Sequence, residues 1–278
     1  MKQLLLLLCS LAALLGTAAA QIDVRLEPAR HDFIVGEHVA LKLTLTNHTD
    51  GRISLSNRPE RPWLNFVITK RGESSPVSPT AAPKFPDVTL APGATRSFQV
   101  DLKNFYRLDV SGSYNAVAVI RQPNAHGTFN SNRALFVLTN GGNMRAFNVR
   151  AGGKNLELSV RLAPANGHDA LFGQVINNDT KRVVGACFLG RYLNFMQPRI
   201  MLDAAQNLHV LCQSTPDFYT YAVMNTRGER AHYQLYRRAV GPVDLQSTGK
   251  GVVPVGLIPY VKPKPNEQNI HRTSDRPF

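Results

Sequence analysis

Val39-Ala40-Leu41-Lys42-Leu43-Thr44-Leu45-Thr46 (VALKLTLT) alternates without a break. Val39, Leu41, Leu43 and Leu45 fall on one face, and Lys42, Thr44 and Thr46 on the other. Successive side chains of extended backbone point to opposite sides of a sheet, so this period of two describes a half-buried antiparallel strand. Asn47-His48-Thr49-Asp50-Gly51 follows as a turn, with its Asp-Gly pair expected to supply positive φ. Working outward, Trp63–Lys70 (WLNFVITK) sets Leu64, Phe66 and Ile68 against Trp63, Asn65 and Val67. Residues 72–86, rich in Ser, Pro and Ala, read as an exposed loop. Further strands are expected at 95–102, after the turn Ala91-Pro92-Gly93, and at 114–121 and 134–139. Short strands punctuated by Gly and Pro, with no helical period, predict an all-β chain beginning with a sandwich.

Three stretches, IVGEHVALKLTLTNHTDGRISL, LAPGATRSFQVDL and FYRLDVSGSYNAVAVI, resemble the immunoglobulin-like sandwiches of exported bacterial proteins, including macroglobulin-type and proteinase-inhibitor-like modules. The resemblance covers about residues 22–140. It implies that Gly36-Glu37 opens an early strand, that Asn47 closes it, and that Leu90-Ala91-Pro92-Gly93 turns between sheets. It also implies a corner at Tyr106, Leu108, Gly112 and Tyr114 in which a tyrosine hydroxyl ties a loop to backbone. FNSNRALFVL would be the closing strand. Such modules bind, space or dock, and the resemblance brings no catalytic residue. The antibody-type disulfide has no cysteines to form it in 21–140.

Thr139-Asn140-Gly141-Gly142-Asn143 reads as a hinge between domains 21–140 and 141–260. Beyond it the pattern is an antiparallel β-meander, with strands expected at 144–150, 155–163, 170–177, 182–190, 199–203, 208–213, 218–225, 230–237 and 252–260. Ala151-Gly152-Gly153-Lys154, Asn177-Asn178-Asp179-Thr180 and Asn225-Thr226-Arg227-Gly228-Glu229 have hairpin chemistry. A second sandwich, a barrel or stacked blade-like sheets all satisfy this pattern. IMLDAAQNLHVLCQS and ALFGQVINNDTKRVVGACFLG resemble blades of a β-propeller. Two blade-like units cannot close a ring that takes about 4–8. The tail, 261–278, mixes Pro, charge and polar residues and is expected to be disordered.

MKQLLLLLCSLAALLGTAAA, residues 1–20, has the order of a secretory signal peptide: one lysine, an apolar run, then small residues before Gln21. The run is too short to span a bilayer comfortably, so no transmembrane segment is expected after cleavage. The chain has 32 basic and 19 acidic residues. Losing Lys2 with the leader still leaves an excess of twelve positive charges. A basic exported protein meets anionic glycans, anionic surfaces and other envelope proteins, whereas export removes it from nucleic acid. The expected location is therefore periplasmic, cell-surface or secreted. The sequence specifies no oligomeric state.

Little in the sequence points to catalysis. Cys187 and Cys212 form an even pair in an oxidising compartment, and a bridge and two separate buried thiols are both open readings. No HExxH, CxxC or GxSxG occurs, and no metal or cofactor is expected. The acids Asp179, Asp203, Asp217 and Glu229 sit at turns. His209 has no partner by spacing and reads as a surface or satisfied sheet histidine. Asn47-His48-Thr49 and Asn178-Asp179-Thr180 match glycosylation sequons, but both fit turns. One face is left as a candidate binding site. Tyr219 and Tyr221 share one side of a strand, Tyr233 and Arg237 one side of the next, and Arg230 follows the turn between them. Tyrosines flanked by arginines can stack on sugars or pair with anions. The reading is thus a non-enzymatic binding or assembly protein of the cell envelope. An extracellular protease inhibitor or docking module is the alternative, and a hydrolase at the domain seam comes last.

Overall fold

The computed structural model describes residues 22–58, 61–81, 84–122, 128–249 and 251–261. The leader expected at 1–20, and the expected tail beyond Val261, lie outside the described residues. Among those described, no helix is long and apolar enough to cross a membrane.

The chain is all-β. Its strands are β1 (Ile22–Pro28), β2 (Asp32–Ile34), β3 (Ala40–Asn47), β4 (Ile53–Leu55), β5 (Leu64–Lys70), β6 (Val88–Leu90), β7 (Thr95–Asp101), β8 (Gly112–Arg121), β9 (Thr128–Asn130) and β10 (Ala134–Thr139). The second half continues with β11 (Gly142–Ala151), β12 (Lys154–Ala165), β13 (His168–Asn177), β14 (Arg182–Arg191), β15 (Arg199–Leu202) and β16 (Leu208–Gln213). It ends with β17 (Phe218–Met224), β18 (Arg230–Arg238), β19 (Asp244–Thr248), β20 (Gly251–Val255) and β21 (Leu257–Pro259). The strand expected over 252–260 is two strands, because Gly256 takes φ 72 between them.

Two compact units emerge, and they interleave along the sequence. One holds the described residues up to Ala29, together with Ala40–Arg107 and Tyr114–Leu135. The other holds Arg30–Val39, Leu108–Ser113 and the chain from Phe136 onward. The hinge expected at Thr139–Asn143 falls inside the second unit, where β10 leads through Gly141 into β11.

In the first unit β1, β3 and β7 form one antiparallel sheet, with Leu43 opposite both Leu26 and Phe98. The alternation of the opening stretch is realised in full: Val39 is 1 % exposed, and Leu41, Leu43 and Leu45 are 0 % exposed. Each such burial contributes about 1.5–3 kcal/mol. β5 pairs with β8 from Leu64↔Ile120 to Lys70↔Tyr114, β9 adds to β8, and β4 pairs with β6. Tyr106 ties the expected corner, its hydroxyl donating to the Phe66 carbonyl at 2.6 Å.

The turn after β3 works differently from the expectation. Gly51 does not take positive φ. Asn47 organises the turn instead. Its buried amide donates to the carbonyls of Gly51, Leu90 and Ala91, and its carbonyl accepts from the Thr49 backbone N–H at 2.9 Å.

In the second unit two sheets pack face to face. One runs β11-β12-β13-β14 and the other β15-β16-β17-β18-β21. Leu158, Val160, Leu171 and Val175 of the first meet Leu208, Val210, Ala222 and Met224 of the second in one core. That arrangement is a sandwich, and its hairpins follow the local chemistry. Gly152 and Gly153 both take positive φ between the paired residues Ala151 and Lys154, as a two-residue hairpin turn requires.

Each outer face has a cover. The segment Arg30–Val39 lays Ile34 against Ala163, Phe172 and Ala186, and Gln174 donates to the Val35 carbonyl at 2.9 Å. β2 pairs in parallel with β10, a departure from the antiparallel rule of the rest. On the opposite side the β19–β20 hairpin lays Val243, Leu245 and Val252 on Leu211, Tyr219, Tyr221 and Val223.

Candidate binding site

A cavity of about 450 Å³ opens within the second unit. Its size is that of a small-molecule site. Four pieces of chain build it. Asn166 and Gly167, at φ 52 and 75, make the tight turn from β12 to β13 and bring His168 and Asp169 to its rim. β14 supplies Phe188 and Arg191. The register of β13 with β14 slips here, pairing Leu171 with Gly190 and Phe172 with Phe188, so Leu189 is an extra residue. A bulge of this kind bends the strand and re-aims the side chains beyond it, here Arg191. The cover segment contributes Arg30, and the start of β18 contributes Arg230.

The three arginines are differently committed. Arg30 pairs with Glu37 at 2.5 Å, and its guanidinium lies 4.6 Å from the Phe33 ring centre and 5.7 Å from those of Phe172 and Phe188. Burial pushes the Glu37 carboxyl up, against the pull of the Arg30 charge. Arg30 is therefore a fixed wall. Arg230 donates to the Phe188 carbonyl at 3.2 Å and stacks at 4.6 Å over Tyr233. That leaves donors of its five free to face the cavity. Arg191 is exposed, and its guanidinium makes no ion pair among the described residues. Asp169 lines the same cavity without closing a salt bridge to it. The site thus offers an apolar floor of Ala165, Ala170 and Phe188, two guanidinium groups with unused donors, and one carboxylate acceptor.

The residues expected from sequence distribute unevenly. Arg230 is at the cavity, and Tyr233 supports it from beneath. Arg237 is elsewhere, its guanidinium over the Phe218 and Tyr260 rings at 5.2 and 5.0 Å. Tyr219 and Tyr221 do share a face, but the β19–β20 hairpin covers it and leaves them 4 % and 6 % exposed. They are core residues and present no open face. Arg30, Phe188, Asp169 and Arg191 went unmarked, because no local pattern joins segments so far apart in sequence.

His209 has partners that spacing did not reveal. Its Nε2 lies 3.0 Å from Asp203 Oδ2 and its Nδ1 2.7 Å from the Tyr221 hydroxyl, which in turn donates to the Val252 carbonyl at 2.9 Å. Burial, reinforced by Tyr236 and Asp203, pushes the Tyr221 phenol up to about 12, so it stays protonated as a donor. Burial alone would also raise Asp203, but hydrogen bonds from Asn207 and His209 outweigh it and hold the carboxyl below its ordinary range. The chain of contacts clasps the hairpin to the sheet.

No disulfide joins Cys187 and Cys212. Cys212 sits in the inter-sheet core, where burial pushes its thiol up to about 12. Among the described residues no group of three or more His, Cys, Asp or Glu side chains converges as a metal site. Compared with known proteins, the chain matches no family model and no curated protein.

Proposed function

We propose that the protein is an exported, non-enzymatic binding protein that holds a segment of acidic glycan in the cavity between Arg30, Arg191 and Arg230. The observation that carries this reading is the combination of Phe188 as an aromatic floor with the open guanidinium groups of Arg191 and Arg230. A pyranose ring stacks on such a floor, its acid group pairs with the arginines, and its hydroxyls donate to Asp169. The chain's excess of positive charge draws acidic polymers toward it. The resemblance of residues 22–140 to immunoglobulin-like modules fits a spacing or docking role for the first unit.

The test is calorimetric titration with uronic-acid oligosaccharides and with their neutral counterparts. The acidic series binds, added salt weakens it, and Arg191→Ala or Arg230→Ala each costs about tenfold or more in affinity. Equal binding of the neutral series, or no binding of either, defeats the proposal.

A further inference from the structure

The connection from β14 to β15 reads Arg191-Tyr192-Leu193-Asn194-Phe195-Met196-Gln197-Pro198-Arg199. It carries an arginine at each end and no acid. At its tip Phe195 is 77 % exposed and Met196 41 % exposed. The loop is held by its own hydrogen bonds. Tyr192, 3 % exposed, has its hydroxyl 3.1 Å from Asn194 Oδ1 and 3.0 Å from the Met196 carbonyl. The backbone is pinned at Tyr192 N to the Asp169 carbonyl and at Leu193 N to the Gln213 carbonyl. Beside the loop, Met144 (37 % exposed) and Arg145 share a cleft with Tyr192, Asn194 and Gln197. The loop thus exposes Phe195 and Met196 between Arg191 and Arg199 at its ends, with Met144 and Arg145 on the neighbouring cleft, where the Arg145 guanidinium lies 4.9 Å from the Phe147 ring centre. Among the described residues, Arg199 alone of these three forms an ion pair, with Asp244 at 3.5 Å.

We infer that this loop is a docking site for an anionic phospholipid surface, with Phe195 and Met196 entering the headgroup–acyl boundary and the bordering arginines on the lipid phosphates. The arrangement matches what such a surface recognises: a small apolar wedge for depth and flanking guanidinium groups for charge. The arginines can keep their charge at headgroup level while their stems lie along the acyl boundary. Arg191 also lines the cavity, so the test rests on Phe195 and Arg199, which do not.

The test uses the full mature chain and sedimentation with two kinds of vesicle, phosphatidylcholine alone and phosphatidylcholine containing phosphatidylglycerol. Binding is expected to the anionic vesicles only. Arg199→Gln reduces the partition coefficient about fivefold, and Phe195→Ser reduces it about tenfold or more. Phe195→Trp shifts its emission to the blue on anionic vesicles and stays unshifted on neutral ones. Both positions are exposed, so folding is unaffected, and uronate binding in the cavity is unchanged by Phe195→Ser. If the wild-type chain ignores anionic vesicles, or if Phe195→Ser binds them as well as wild type, the inference is overturned. An unshifted Phe195→Trp emission on bound vesicles overturns it too.

Discussion

Gly185 and Gly228 meet backbone to backbone. A Cβ on Gly228 would stand 2.4 Å from the Gly185 carbonyl carbon, and one on Gly185 would stand 2.4 Å from the Arg227 carbonyl oxygen. Gly228 also takes φ 76. The contact presses the β17–β18 turn onto β14, just before Arg230 reaches back to Phe188. Gly185→Ala and Gly228→Ala are each predicted to cost about 1–3 kcal/mol, seen as a lower urea midpoint. Because the same contact places Arg230, ligand affinity of the folded fraction falls as well. Gly249→Ala, with nothing within 4 Å of its Cβ position, leaves both unchanged.

The Tyr221 hydroxyl joins His209 on its own sheet to Val252 on the covering hairpin. Tyr221→Phe keeps the ring and removes the link, stranding the His209 Nδ1 and the Val252 carbonyl. A loss of about 1–3 kcal/mol is expected for a buried group left unpaired. Limited proteolysis should locate the damage: cleavage within 244–255 accelerates, while the β11–β14 sheet stays protected. Unchanged cleavage of the hairpin would show that apolar contacts alone hold it.

How much of this could be read in advance divides along a physical line. Much of the local backbone chemistry was legible, though not the turn after β3, which the Asn47 side chain makes without a positive φ at Gly51. The alternation of Val39–Thr46 located β3, and Leu208–Gln213 is a strand with the expected ends. Alternation also put Tyr219 and Tyr221 on one face. It could not say whether that face is covered, because the cover is a hairpin that docks through tertiary contacts. The same limit hid the break at Gly256, where a Cβ would come 2.1 Å from the Pro242 carbonyl oxygen. The cavity was legible only through Arg230. Arg30 belongs to the second unit because Phe33 and Ile34 find their apolar partners there, a pairing that sequence separation conceals.

Asp203 gives stability a dependence on acid. Its folded carboxyl titrates below the ordinary range, so the unfolded chain takes up the proton first as pH falls. The stabilisation is complete above about pH 4 and is lost as pH drops through the lower folded value. Asp203→Asn removes the titrating group. Its urea midpoint should therefore lie below wild type at neutral pH, and the two curves should converge in acid. Parallel curves down to the acid limit would assign the acid sensitivity to other carboxylates.

The thiols make a redox prediction. Cys187 and Cys212 are unbridged in the fold. Cys212 is 3 % exposed and its thiol is pushed up to about 12, so almost none of it is thiolate at mildly alkaline pH. Protein purified without reductant and then unfolded should take up alkylating reagent at both cysteines, read by intact mass. In the folded protein Cys212 should resist the reagent, and raising the pH by one unit should speed its labelling far less than adding urea, because exposure and not ionisation limits the reaction. Protein that takes up no reagent until reduced would mean that the two cysteines are bridged after all.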